Sequence, residues 1–187
     1  MAASLFRPAT ELLVQYATYY RDPRNIASHF LGIPLIVLVV GVLSVGVLAV
    51  GVLLARLEVA GISAAWLAWA LSTAWYLSRG NLALGVATSA VNAGLMAAAH
   101  PLAAGPVATW LGWGVGLFVL GWAIQFVGHW WEGRKPAFVD DVVGLLVGPM
   151  FVVAEWLIAA GWNRPLAAEI ERRAGPARRR VPSAPAA

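Results

Sequence analysis

Residues 125–138 read QFVGHWWEGRKPAF. A long apolar run ends here in a histidine, two tryptophans, a glutamate and a basic turn. Gln125, His129 and Glu132 recur at i, i+4 and i+7, which is one stripe of a helix. The run that leads into them, from about residue 107, is apolar enough for a membrane span. Ionisable groups in or near a bilayer are costly and have a partner or a task. The fold and the chemistry both turn on why an imidazole and a carboxylate share the end of such a helix.

The rest of the chain is built in the same way. It has 187 residues, 60% hydrophobic and only 12% charged, with a mean hydropathy of +0.74. A soluble globule is nearer half apolar and about a quarter charged. Five apolar segments stand out, at roughly 29–55, 61–78, 82–100, 107–131 and 142–160. About 20 residues cross the hydrocarbon layer, and helices are required because unpaired backbone is too costly in lipid. The expected fold is therefore all-α: a polytopic helical membrane protein of four to five hydrophobic helices. Its domain plan is an interfacial amphipathic segment (1–28), a transmembrane domain (29–162) and a basic, disordered tail (163–187). The first 28 residues hold no unbroken apolar stretch, so no cleaved leader is expected. Glycine and alanine runs such as GVLSVGVLAVGVLLA favour close helix contacts and leave a homo-oligomer open. The absence of cysteine excludes disulfides and thiolate chemistry.

Local signals refine the plan. In LFRPATELLVQYATYY, apolar residues fall at helical spacing beside polar ones, which predicts a surface helix. Asp22 and Pro23 suit the cap and first turn of the first span, with Asn25 and His29 four residues apart on one face. Gly148-Pro149 and Glu155 interrupt the fifth segment. Arg7, Arg21, Arg24, Arg79, Arg134 and Lys135, with six arginines after Asn163, favour four spans and both termini in the cytoplasm. Segment 142–160 is then re-entrant or interfacial, with five full spans as the alternative. An even number of crossings puts His29 and His129 at the same face and His100 at the other.

Each candidate has a plainer reading beside the chemical one. His129 and Glu132 could mark an interfacial helix end, with Trp130 and Trp131 in the aromatic belt and Glu132 paired to Arg134 or Lys135. Against that, two histidines and a carboxylate suit ferrous iron with open positions. His100 reads as structural, in a loop before Pro101. Asp140-Asp141 reads as an N-cap pair, with Asp141 as a supporting residue in the second place. Glu155 needs a proton or a cation if buried. The basic tail suits anionic lipid, and nothing suggests nucleic acid. Two other functions stand beside the metal one: a b-type haem subunit using His29 and His129, and a non-catalytic scaffold.

YYRDPRNIASHFLGIPLI, followed far downstream by QFVGHWWEGRKPAFVDDVVGLLVGPMFVVAE, resembles the fungal 2-hydroxy-palmitic acid dioxygenase family. The resemblance covers about residues 12–160 and is carried by the two ends. It implies a membrane protein with Fe(2+)-dependent α-oxidation, shortening a 2-hydroxy fatty acid by one carbon with dioxygen. It implies His29 and His129 as iron ligands, with Asn25, Gln125, Glu132 and Glu155 as nearby polar positions. The chain departs from the pattern at Tyr20, where the family has histidine. A phenol can ligate iron, but its pKa of about 10 favours hydrogen bonding or covering the cavity. The expected location is an integral membrane protein with its site at the cytoplasmic face (inner membrane in a bacterium, endoplasmic reticulum in a eukaryote).

A cysteine introduced just after Arg172 should label from the cytoplasmic side of sealed vesicles. Labelling only from the opposite side would overturn the four-span topology.

Overall fold

The computed structural model describes residues 5–19, 47–133 and 143–175. Within the helix that ends at Glu132, the side chains at 122, 124–129, 131 and 132 lie outside the description. The described chain is almost entirely helical: α1 (Ala9–Ala17), α2 (residues 47–55), α3 (Ala64–Leu77), α4 (Leu82–Ala103), α5 (Val107–Glu132), α6 (Gly144–Ala159) and α7 (Arg164–Ala174). A two-residue hairpin, β1 (Glu58–Val59) and β2 (Ile62–Ser63), joins α2 to α3. Its turn residues, Ala60 and Gly61, have φ of 52° and 79°, the left-handed pair that a tight hairpin needs.

Helices α3 and α4 pack most extensively. Their turn is closed by Asn81, whose Oδ1 accepts from the Leu84 amide at 3.1 Å. Gly85 then lets the backbones meet, because a Cβ there would lie 2.9 Å from the Tyr76 carbonyl oxygen. Across the seam, Trp69 Nε1 donates to the Ser89 carbonyl and Tyr76 Oη to the Leu146 carbonyl of α6.

Helix α2 runs antiparallel to α5. Arg56 Nη1 donates to the Gly105 carbonyl in the α4–α5 turn and its guanidinium sits over Trp110. Trp110 Nε1 donates to the Val52 carbonyl at 2.7 Å, and Leu53 fills the space beside Gly114. The amino end of α2 therefore points toward the end of α5 that carries His129. By length, α5 at 26 residues covers about 39 Å and α4 at 22 about 33 Å. The α4–α5 hairpin thus returns the end of α5 to the level where α4 began.

That same end holds the main core. Leu12, Leu13 and Tyr16 of α1 pack with Val147, Met150 and Phe151 of α6, Leu166 and Ile170 of α7, and Tyr76 and Leu84 of the α3–α4 hairpin. Leu13 is fully buried. The amphipathic helix expected near the N-terminus is present, but protein covers its apolar face.

Several expectations change. The 61–78 segment yields a helix of 14 residues, because Ile62 and Ser63 pair in the hairpin. Among the described residues, one helix, α4, is long and apolar enough to cross a membrane, and Val107–Gly121 forms a further apolar stretch. Helix α6 continues through Pro149, which sits early enough for its lost hydrogen bond to fall in the opening turns. It starts after Val143, so the Asp140-Asp141 pair is not at its cap. It then meets α7 at a bend of 120°. His100 and Pro101 lie in the last turn of α4, not in a loop.

The tail expected to be disordered begins with α7. Asn163 Oδ1 caps it by accepting from the Leu166 amide, and Leu166 and Ile170, four apart, bury one stripe. Residues 176–187 and the first span's opening, residues 20–46, lie outside the described residues.

Gly85→Ala should lower the unfolding midpoint in detergent, by about 1–3 kcal/mol of stability, because the new methyl meets backbone. Gly94→Ala, with nothing within 4 Å of the new Cβ, should be neutral or stabilising. Equal effects would mean that the α3–α4 approach does not depend on Gly85.

Candidate functional site

The sequence stripe at the end of α5 is realised in one helix. The backbone is helical through Glu132, and Gly133 ends it with φ of 65°. The positions of Gln125, His129 and Glu132 therefore share one face, with His129 and Glu132 one turn apart. Their side chains lie outside the description. So do Tyr20, Asn25, His29 and Asp141. Glu155 is described: it is half-buried on α6 and is not free. Among the described residues, no three of His, Asp and Glu gather into a metal-binding group.

His100 has a structural partner. Trp66 Nε1 donates to its Nε2 at 2.8 Å, and the two rings stack at 6.0 Å. Indole is a donor only, so the His100 Nε2 accepts in this pair. This pair joins the start of α3 to the end of α4, away from the end where α5 finishes.

The contacts around the α3–α4 turn were not evident from sequence. Arg79 closes α3 with its side chain buried to 7% exposure. Its Nη1 donates to the Leu5 carbonyl at 2.7 Å, its Nη2 to Ser78 Oγ at 2.8 Å, and the guanidinium lies over Phe6 and Trp75. The Ala9 amide in turn donates to the Arg79 carbonyl. These contacts fix where α1 begins. Its other anchor is the pair between Glu11 and Arg173 of α7, joined by two hydrogen bonds of 2.5 and 2.7 Å. That pairing holds the Glu11 carboxyl below its usual range.

So placed, the carboxyl half of α1 faces the start of α6 across a small cavity of about 20 Å³. Leu12, Gln15, Tyr16 and Tyr19 line one side, Val143 and Val147 the other. Tyr16 also packs on Phe151, ring to ring at 5.1 Å. Leu12, Gln15 and Tyr16 of α1, with Tyr19 just beyond it, recur at helical spacing, which was the available signal for them. A separate polar seam between α3 and α4 holds Thr73, Tyr76, Thr88, Ser89 and Asn92. Its donors are hydroxyl and amide groups, with neither imidazole nor carboxylate.

The 2-hydroxy-palmitic acid dioxygenase Mpo1-like family matches residues 6–160, most of the chain. The chain belongs to that family. The matched range contains every candidate position: Tyr20, Asn25, His29, Gln125, His129, Glu132, Asp141 and Glu155. A curated relative, 2-hydroxy-palmitic acid dioxygenase MPO1 of Saccharomyces cerevisiae, is 42% identical over 59 residues, 30% of this chain and 34% of that protein. The aligned stretch thus spans about a third of the relative's length. No solved structure matches the chain.

Acid should loosen the α1–α7 clamp. Glu11 is depressed in the folded state, so its contribution is complete above the ordinary carboxylate pKa of about 4.3. It is lost as pH falls through the lower folded value. Protease accessibility of α7 should rise over that range, and Glu11→Gln should raise it at neutral pH. A flat, wild-type-like profile in Glu11→Gln would remove the clamp from the account.

Proposed function

We propose that this chain is a membrane-embedded, Fe(II)-dependent dioxygenase that shortens 2-hydroxy fatty acids by one carbon. The observation that carries the reading is the family match over 6–160, together with an unbroken helix on which His129 and Glu132 fall one turn apart. The donor chemistry fits iron: an imidazole and a carboxylate one helical turn apart, and a second histidine, His29, that precedes α2 in the chain. Helix α2 is oriented so that its amino end faces that side. His29, His129 and Glu132 would hold the metal. Ferrous iron, when bound, supplies oxygen activation and a point of chelation for the hydroxyl and carboxylate of the substrate.

The chain's own residues do the rest. Val115, Val119 and Leu120 of α5, with Leu82 and Val86 of α4, are exposed apolar side chains. A surface of this kind suits lipid and would leave the alkyl chain in the bilayer. Each methylene held in apolar contact contributes about 0.8 kcal/mol, which gives a means of sensing chain length. Helix α1, pinned by Arg79 and Arg173, covers the polar end and excludes water. Gln125, Asn25, Asp141 and Glu155 would serve as supporting polar positions for the ligands, and the Tyr20 phenol would act as a hydrogen-bonding group or a cover.

Metal content tests the reading independently of turnover. Protein purified under anaerobic, chelator-free conditions should carry iron without a Soret band. His129→Ala should lose that iron, while His100→Ala should keep it. Equal iron in the two variants would sink the assignment, and a Soret band would replace it with the haem function.

A further inference from the structure

The cavity between α1 and α6 is the feature that the proposed ligands do not explain. Its lining has an uneven chemistry. Leu12, Val143 and Val147 are apolar, Gly144 leaves room, and Gln15, Tyr16 and Tyr19 bring polar atoms. Gln15 is oriented: its Oε1 accepts from Arg7 Nη1 at 2.7 Å. The Nε2 protons of Gln15 have no partner among the described residues. Arg7 places a positive charge directly behind that amide. A cavity of about 20 Å³ suits a small polar group and is far too small for an alkyl chain. Its lining also borders the proposed site along the chain. Tyr19 precedes Tyr20, and Val143 lies two residues after Asp141.

We propose that this cavity receives the substrate's carboxylate on its way to the metal, with Gln15 Nε2 as donor and Arg7 as the charge behind it. The inference rests on the 2-hydroxy fatty acid reading above. Gln15 is a positioning residue that selects acids over neutral lipids. Arg7 acts through it, by fixing the amide so that its donors, not its carbonyl, face the ligand.

Steady-state kinetics with 2-hydroxypalmitate test this, with 1,2-hexadecanediol as a competitor that keeps the chain and hydroxyl but lacks the carboxylate. Gln15→Met keeps the volume and removes the donor. It should raise KM for the acid about tenfold, the loss of one hydrogen bond to a charged group, and leave kcat within about twofold. Gln15→Glu should raise KM further by repulsion. Inhibition by the diol should be the same in wild type and Gln15→Met. An unchanged KM in Gln15→Met overturns the proposal, and so does an equal loss of diol affinity, which would mark a structural role. A wild-type protein that carries iron but never turns over 2-hydroxypalmitate would instead overturn the function reading, and this inference with it.

Discussion

One end of the molecule depends on burying the apolar stripe of α1. A helix of nine residues has little stability of its own. Each fully buried leucine contributes about 1.5–3 kcal/mol, and Leu12 and Leu13 are both within 3% of complete burial. That gain is available only because α6, α7 and the α3–α4 turn present Met150, Phe151, Leu166, Ile170 and Tyr76 to the same stripe. Remove the stripe and these elements lose their common surface. The polar contacts follow from it. Arg79 can serve the Leu5 carbonyl, and Arg173 can reach Glu11, only once the helix is seated.

The two ends of the bundle are held by different chemistry. At the far end, tryptophan N–H groups and one arginine bind the helices: Trp66 to His100, Trp110 to Val52 and Arg56 to Gly105. Such side chains combine an apolar body with a polar tip, which suits a boundary between lipid and water. At the near end the core is aliphatic and aromatic, capped by ion pairs among Glu11, Glu169, Arg172 and Arg173. The family's two motif regions, around residues 20–29 and 125–155, connect to that near end.

The helical class and the borders of α4, α5 and α6 were legible because long apolar runs bounded by Gly, Asn and Pro leave few alternatives. The placement of His129 and Glu132 on one helical face was legible for the same reason. What sequence hid was tertiary. Helix α7 reads as a basic tail by hydropathy, and only the Leu166–Ile170 pair betrays a docking stripe. His100 beside Pro101 reads as a loop, yet α4 carries both in its last turn, although the proline gives up its bond to the preceding turn. Gln15, Tyr16 and Tyr19 carry no chemical signal in the sequence, and only the seating of α1 against α6 turns them into the wall of a cavity. Charge-based topology gave a first reason to join His29 to a residue one hundred positions away, and the family resemblance added the chemistry that the pair would serve.

The contact between Glu11 and Arg173 spans 162 residues of sequence. Translation therefore produces α1 long before the helices that cover it. Until α6 and α7 emerge, its leucines have no protein partner, and a membrane interface is the natural place for an amphipathic helix to wait. Closure of the near end has to await the synthesis of α7, since Arg173 is made 162 residues after Glu11. A chain halted before α7 would hold its other helices but leave this end open. The order of synthesis thus keeps this end incomplete until the later helices have been made.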